Sequence, residues 1–581
     1  MATLYHSGTV ITMDEDAATG GEAPATPVEA VVTEGDRIVY VGDLVTARQR
    51  FGDAGSEVDE VDLAGRVLLP AFIDAHGHFM SYGKAARQVD LRDCTDIDGI
   101  VDALAERLVG RPAQDASPVV GLGYDHNNLP GYRHPTRHDL DRVSTTVPVI
   151  AVHRSSHMLV VNSVVLELVG ITSGTPDPDG GRFGREDDRV TPDGYVEEIS
   201  AMLVLAEGLA AAGGDGETGP SLLSPGSPGD QREAILTAQR EYLSRGITTV
   251  QEGAASPEEV DALIAAGEDG DLALDVVAYP IVTTGGLDVL DAHPERIGSY
   301  EGRVRLGGCK LILDGSPQAR SAWLSEPYEP EEEVASGGGA ESEAAADHQH
   351  EEPGRCQCGY PALPDDQVGS LIARAVDSGY QVLAHCNGDA ASEQFLDAYA
   401  HVAESHPGAA SLRPVMIHAQ TVRADQLDRM PALGMIASFF VGHVWFWGDT
   451  HLRNLGPGRG RRISPVRSAL DRGVAVTFHQ DAPVTDPDMP VSVATAVTRR
   501  SSRGTLVGPE QSVDRYEALR AVTSAAAYQY GEEADKGRIR AGLRADLIVV
   551  DRDPLTCAHE DLAGLTVLST VKDGVEVYRQ G

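Results

Sequence analysis

Two histidines one residue apart close an apolar run, Leu68-Leu69-Pro70-Ala71-Phe72-Ile73-Asp74-Ala75-His76-Gly77-His78-Phe79. On an extended backbone, positions i and i+2 share a face, so both imidazoles can reach one ion. Neutral imidazole is the usual nitrogen ligand of zinc-type metals. Further apolar runs end in ligand-type residues: VLAH at His385, VMIH at His418, and VTFHQDAP, which carries His479 and Asp481. Lys310 sits within another, VRLGGCKLILDGS, which ends in an acidic turn. A desolvated lysine has a lowered pKa and a neutral amine. Such an amine can take up carbon dioxide as a carbamate, an oxygen ligand able to bridge two cations. The alternative is an unmodified lysine that binds substrate or pairs with Asp314.

Residues so far apart need a fold that gathers strand ends. Strand-like runs occur at 66–74, 117–124, 147–153, 246–251, 273–280, 304–313, 380–385, 413–418, 434–440 and 473–479, with helical stretches such as DQVGSLIARAVDSG between several. This alternation predicts an α/β fold, a (β/α)8 TIM barrel, whose strands deliver their C-terminal ends to one rim. The surplus runs predict an inserted segment at about 117–230. Both ends read as short strands with Gly and Asp turns. Residues 1–66 and 515–581 are therefore expected to form one small β-sandwich beside a barrel over 67–514. The stretch 329–358 reads as an acidic, low-complexity loop. It ends in His348, His350, Cys356 and Cys358, four ligand types without the usual C-x2-C spacing of a zinc clip.

The chain has 581 residues, 41% of them apolar, as expected of a folded enzyme. It carries 89 acidic and 47 basic residues, a net charge of −42, and only four lysines: Lys84, Lys310, Lys536 and Lys572. Such a field repels nucleic acid and anionic membranes and fits a halophilic, salt-screened surface. No apolar run is long enough to span a bilayer, and the N-terminus lacks the pattern of a secretory signal. Six scattered cysteines suit reduced thiols and a cytoplasmic location. The expected partner is a small-molecule substrate, with a homodimer as the assembly left open.

The ordered set of H-x-H, strand lysine, histidine, histidine and aspartate resembles the metal-dependent amidohydrolase superfamily. Its amidohydrolase-3 branch, the YtcJ-like and N-substituted formamide deformylase group, is the most similar. The matching stretches are LLPAFIDAHGHF, GYDHNNLPGYRHPTRHDLDRVSTTVPVIAVHRSSHMLVVNSVVL, KLILDGSPQARSAWL, LAHCNGDAA, VMIHAQTV and FHQDAPVTDPD. The resemblance implies one or two divalent ions, zinc foremost. His76 and His78 would hold one and His385 and His418 the other, with Lys310 as a carbamylated bridge. Asp481 would bind the first ion and shuttle the proton. His157 matches a histidine of the branch that resembles a substrate contact. Tyr124, Asp125, His443 and Trp445 are expected to line the pocket, with buried packing as the alternative. The implied reaction is hydrolysis of a non-peptide C–N bond in an amide, formamide or cyclic amide. A related deaminase, a C–O hydrolase and a non-catalytic regulatory barrel stay open, the last because fold alone does not license an enzyme.

Overall fold

The computed structural model describes residues 2–14, 28–52, 58–112, 115, 117–178, 180–213, 227–330 and 357–581. Two of its sheets follow the chain in order. A four-stranded sheet takes Phe72–Ile73, Ile247–Ala255, Asp275–Pro280 and Val304–Leu306. A five-stranded one takes Gly308–Ile312, Gln381–Cys386, Val415–His418, Ile436–Phe439 and Ala475–Phe478. Every neighbouring pair is parallel. The strands are buried almost throughout, as parallel strands covered on both faces must be. Between the two sheets the chain runs through Gly307 and Gly308. A Cβ at Gly308 would lie 2.1 Å from the Gln381 carbonyl oxygen, and one at Gly307 2.3 Å from Tyr279 Cζ. Only glycine allows that approach.

Helices cover these strands with apolar stripes at helical spacing. Asp365–Asp377 buries Val368, Ile372, Ala375 and Val376, and Asp389–Ser405 buries Phe395, Leu396, Tyr399 and Val402. The runs at 117–124 and 147–153 belong elsewhere. They enter a six-stranded sheet with Val89–Asp90, Met158–Val161, Pro192–Glu197 and Arg182–Arg185. That sheet has apolar clusters of its own, around Ile150 and Leu159 on one side and Leu104 and Leu140 on the other. It also begins before residue 117, because Val89–Asp90 pairs with the strand at Val119–Tyr124.

The chain ends meet. Thr9–Val10, Val67–Pro70, Leu547–Val550, Val567–Lys572 and Val575–Arg579 share one sheet. Asp573 and Gly574, both at positive φ, turn its last hairpin. Leu68, Leu547 and Val549 of that sheet pack against Tyr5, Val31 and Ile38 of a second, four-stranded one.

All four lysines are buried. Lys536 and Lys572 reach Asp275 Oδ2 at 2.6 and 2.8 Å, and Lys572 also reaches Asp546 at 2.9 Å. Burial works against the Asp275 charge, yet the two ammonium groups hold its carboxyl well below the usual range. This cluster ties the terminal sheet to the strand at Asp275–Pro280. Removing one partner leaves buried charge uncompensated. Asp275→Asn is therefore expected to lose about 3–5 kcal/mol of stability, read as a lower denaturant midpoint. A midpoint within error of the parent would refute this role.

Candidate active site

The site gathers where the parallel strands end. His76 follows Phe72–Ile73, and its Nδ1 lies 2.5 Å from Gln251 Oε1. Gln251 is itself fixed, its Nε2 donating to the Ala75 carbonyl at 2.9 Å and to Tyr530 Oη at 3.0 Å. The amide oxygen therefore faces the imidazole, which must donate from Nδ1 and keep its lone pair on Nε2. That nitrogen faces Lys310 Nζ at 3.0 Å and Asp481 Oδ1 at 3.5 Å. Gly253 has no room for a side chain here, since a Cβ would lie 2.5 Å from His76 Cε1.

His385 and His418 end adjacent strands. His385 Nε2 lies 3.1 Å from the Gly315 carbonyl and 2.9 Å from Asn387 Nδ2, and its Nδ1 faces His418 Nε2 at 3.1 Å. His418 Nδ1 faces His479 Nε2 at 3.1 Å, and His479 Nδ1 faces the Ser438 hydroxyl at 2.9 Å. Burial holds the rings of His76, His385 and His418 well below the usual histidine pKa and brings His479 to about 3. Where two neutral rings meet at 3.1 Å, either one nitrogen donates to the other or both offer lone pairs to a shared cation.

Asp481 completes the set. Two backbone bonds, Asp481 N to His76 O at 3.2 Å and His78 N to Ala482 O at 2.8 Å, clamp the H-x-H turn against the aspartate turn. Its Oδ1 is buried without a hydrogen-bond partner, although His78 Nε2 is 3.2 Å away. Burial opposes the Asp481 charge, but His418, His78 and His76 hold its carboxyl well below the usual range. Asp481 and His418 both take positive φ, a strained backbone typical of working sites. Donor atoms of His76, His418 and Asp481 lie within 4.8 Å of one another. An orphaned carboxylate oxygen amid imidazole lone pairs suits a divalent cation.

Lys310 differs from its three counterparts. Lys84, Lys536 and Lys572 each pair with a carboxylate, whereas no described carboxylate lies within ion-pair distance of Lys310, only 1% exposed. Burial lowers its pKa to about 8, against the pull of Asp481. Asp314 is occupied elsewhere, accepting from the backbone N–H groups of Asn387, Gly388 and Trp323.

A cavity of ≈ 560 Å³ opens over this cluster, lined by His78, His157, Lys310, His385, His418 and Asp481 together with Leu122, Val152, Leu159 and Met202. His157 Nδ1 pairs with Glu198 at 2.8 Å, and its ring lies 5.1 Å from that of His385. Burial disfavours the His157 cation, but Glu198 overrides it and raises the pKa. Three expected lining residues stand away from the wall. Tyr124 is fully buried with its hydroxyl on His134 at 2.9 Å. The strand is irregular at Gly123, which takes positive φ and is skipped in the pairing with Val152 and His153, so Tyr124 enters the core although Leu122 lines the cavity. His443 is buried and pairs with His451 at 3.0 Å. In the helix Gly442–Gly460, residues 443, 447 and 451 share one buried face, so Trp445 points away and Trp447 packs inward. Asp125 accepts from Trp447 Nε1 at 2.8 Å, beside His126 and His153. Of the four ligand types in the acidic stretch, His348, His350 and Cys356 lie outside the described residues, and Cys358 is disulfide-bonded, so its thiolate is not a ligand. Among the described cysteines, Cys94, Cys309, Cys386 and Cys557 are free thiols.

With this geometry in view, the comparisons are informative. The sequence pattern of the amidohydrolase family matches residues 59–578. The chain belongs to that family. Putative amidohydrolase YtcJ of Bacillus subtilis is 26% identical over the whole of both chains. N-substituted formamide deformylase of Arthrobacter pascens is 28% identical over 95% of each. A solved structure, an uncharacterized metal-dependent hydrolase from Pyrococcus furiosus, superposes with a TM-score of 0.67 at 28% identity, covering 96% of this chain and all of that one. Family and relatives make this chain a hydrolytic enzyme, and the His/Asp set supports a divalent metal. None of its described helices is long and apolar enough to cross a membrane.

Gln251, His479 and Ser438 set which ring nitrogen each histidine presents. Gln251→Ala is expected to weaken metal retention by about 10- to 100-fold, measured as metal per chain by mass spectrometry after dialysis against graded chelator. Equal retention by parent and variant would sink this assignment.

Proposed function

We propose that this amidohydrolase cleaves a non-peptide C–N bond, in an amide, formamide or cyclic amide. The observation that carries the reading is the orphaned Asp481 oxygen among neutral, lone-pair-presenting imidazoles on a cavity wall. His76, His78 and Asp481 would hold one divalent cation, zinc foremost, and His385 and His418 a second. Lys310 as a carbamate would bridge them, supported by its burial without a counter-charge. A bound cation supplies Lewis acidity, which polarises a carbonyl and makes water more acidic.

The protein's own groups do the rest. Asp481 is ionised and aims a free oxygen at the centre of the cluster, so it can take a proton from water and return it to the leaving nitrogen. His157, held by Glu198 and facing the cavity, can donate to the carbonyl oxygen as negative charge develops there. Leu122, Val152, Leu159 and Met202 give the cavity an apolar part, and electrostatic interactions strengthen where water is displaced.

The architecture proposed for this chemistry is a (β/α)8 barrel over about 67–514 with a β-sandwich from 1–66 and 515–581. Support comes from the bridge Ile281 to Lys310 between the two parallel sheets. The backbone bonds that join the His76 turn to the Asp481 turn, from the first strand to the last, favour closure.

Asp481→Asn is expected to lower kcat by about 10²- to 10⁴-fold, followed as formate or amine release from a panel of N-substituted formamides, amides and cyclic amides. Activity retained by this variant would remove Asp481 from the proton's path. A metal-loaded parent that turns over no member would overturn the C–N reading.

A further inference from the structure

Arg154 lines the same cavity as the metal-ligand candidates, yet the chemistry above leaves it unused. Its Nε donates to the Val484 carbonyl at 3.3 Å. Val484 in turn donates its N–H to the Asp481 carbonyl at 2.9 Å, so the guanidinium is fastened to the turn that carries Asp481. The guanidinium also lies over the rings of Phe446 and Trp447, 4.6 and 5.2 Å from their centroids. Trp447 is itself anchored on Asp125. Stacking orients the planar fork on the cavity wall, with the Nε bond to Val484 fixing one edge.

No described carboxylate lies within ion-pair distance of Arg154, although the chain carries 89 acidic residues. The nearby acids are engaged elsewhere. Arg92 holds Asp90 at 2.7 Å and Asp486 at 2.8 Å, and Asp125 accepts from Asn127 and Trp447. A planar, half-buried donor fork without an acceptor matches a carboxylate, which it binds with two parallel hydrogen bonds.

We infer that Arg154 is a carboxylate-binding subsite, and that the substrate is an amide bearing a free carboxylate, of the N-acyl amino acid class. The inference rests on the hydrolase reading above. Water adds across the acyl C–N bond, giving a carboxylic acid and an amine, and the carboxylate on Arg154 is unchanged.

The test uses matched pairs: N-formyl and N-acetyl derivatives of glycine, alanine, leucine and phenylalanine, each as free carboxylate and as primary carboxamide. On the metal-loaded full-length protein, kcat/KM is expected to favour the carboxylate member by about ten- to a hundredfold. Arg154→Leu should bring the two members within about threefold of each other, with Arg154→Lys between, as a point charge lacks the fork. Carboxylates no better than carboxamides in the parent, or a preference that survives Arg154→Leu, would overturn the subsite. If no member is turned over, the hydrolase reading fails separately and calorimetric affinities decide. Carboxylates that bind about tenfold tighter than their carboxamides still support Arg154, while equal or absent binding overturns it.

Discussion

The site depends on keeping several nitrogen lone pairs and one amine out of water without giving them protons. An isolated buried imidazole costs little when its second nitrogen is satisfied, and here each outer nitrogen meets an oriented partner. Gln251 serves His76, the Gly315 carbonyl serves His385, and His479 with Ser438 serves His418. The inner nitrogens then face one another and Asp481. A divalent cation bound there would add its binding free energy to the folded state, so metal binding and the stability of this end of the sheet are linked.

That requirement explains the use of lysine. Where a positive charge must be buried for structure, lysine comes with carboxylates, as at Asp275 and Asp546. Lys310 has none, and the same burial that would punish an ammonium favours its neutral form. Arginine, which outnumbers lysine in this chain, cannot be neutralised in a protein. It serves at the surface, in the interior as Arg499, where backbone carbonyls accept from its fork, and, as Arg154, at the cavity wall.

Much of this was legible in the sequence because strand ends leave a mark. An apolar run that stops at His385, His418 or Asp481 reads as a side chain delivered to a rim, and the parallel pairing brings these positions together. The strand runs at 117–124 and 147–153 fall within the expected insertion because there are more runs than eight, not because their pattern differs, since buried strands look alike in either sheet. The supporting residues were less visible. Gln251 and Ser438 sit inside apolar strands, and their importance follows only from which strand lies beside which. His443 and Trp445 were expected at the pocket, but which side of their segment is buried depended on helical phase. A helix rather than an extended run turns Trp447 inward and Trp445 away.

The terminal segments also do more than cap the fold. Tyr530 Oη donates to the Asp74 carbonyl at 2.7 Å and Gln529 Nε2 to the Ala75 carbonyl at 2.7 Å, on the turn that presents His76 and His78. Tyr530 accepts from Gln251, which sets the His76 tautomer. Residues near the end of the chain thus hold the first ligand pair from outside while Asp481 holds it from inside. The sheet made by both termini continues directly into the same first strand, through Val67–Pro70 and Phe72–Ile73, so the ends of the chain and the turn carrying His76 are braced by one contiguous set of contacts.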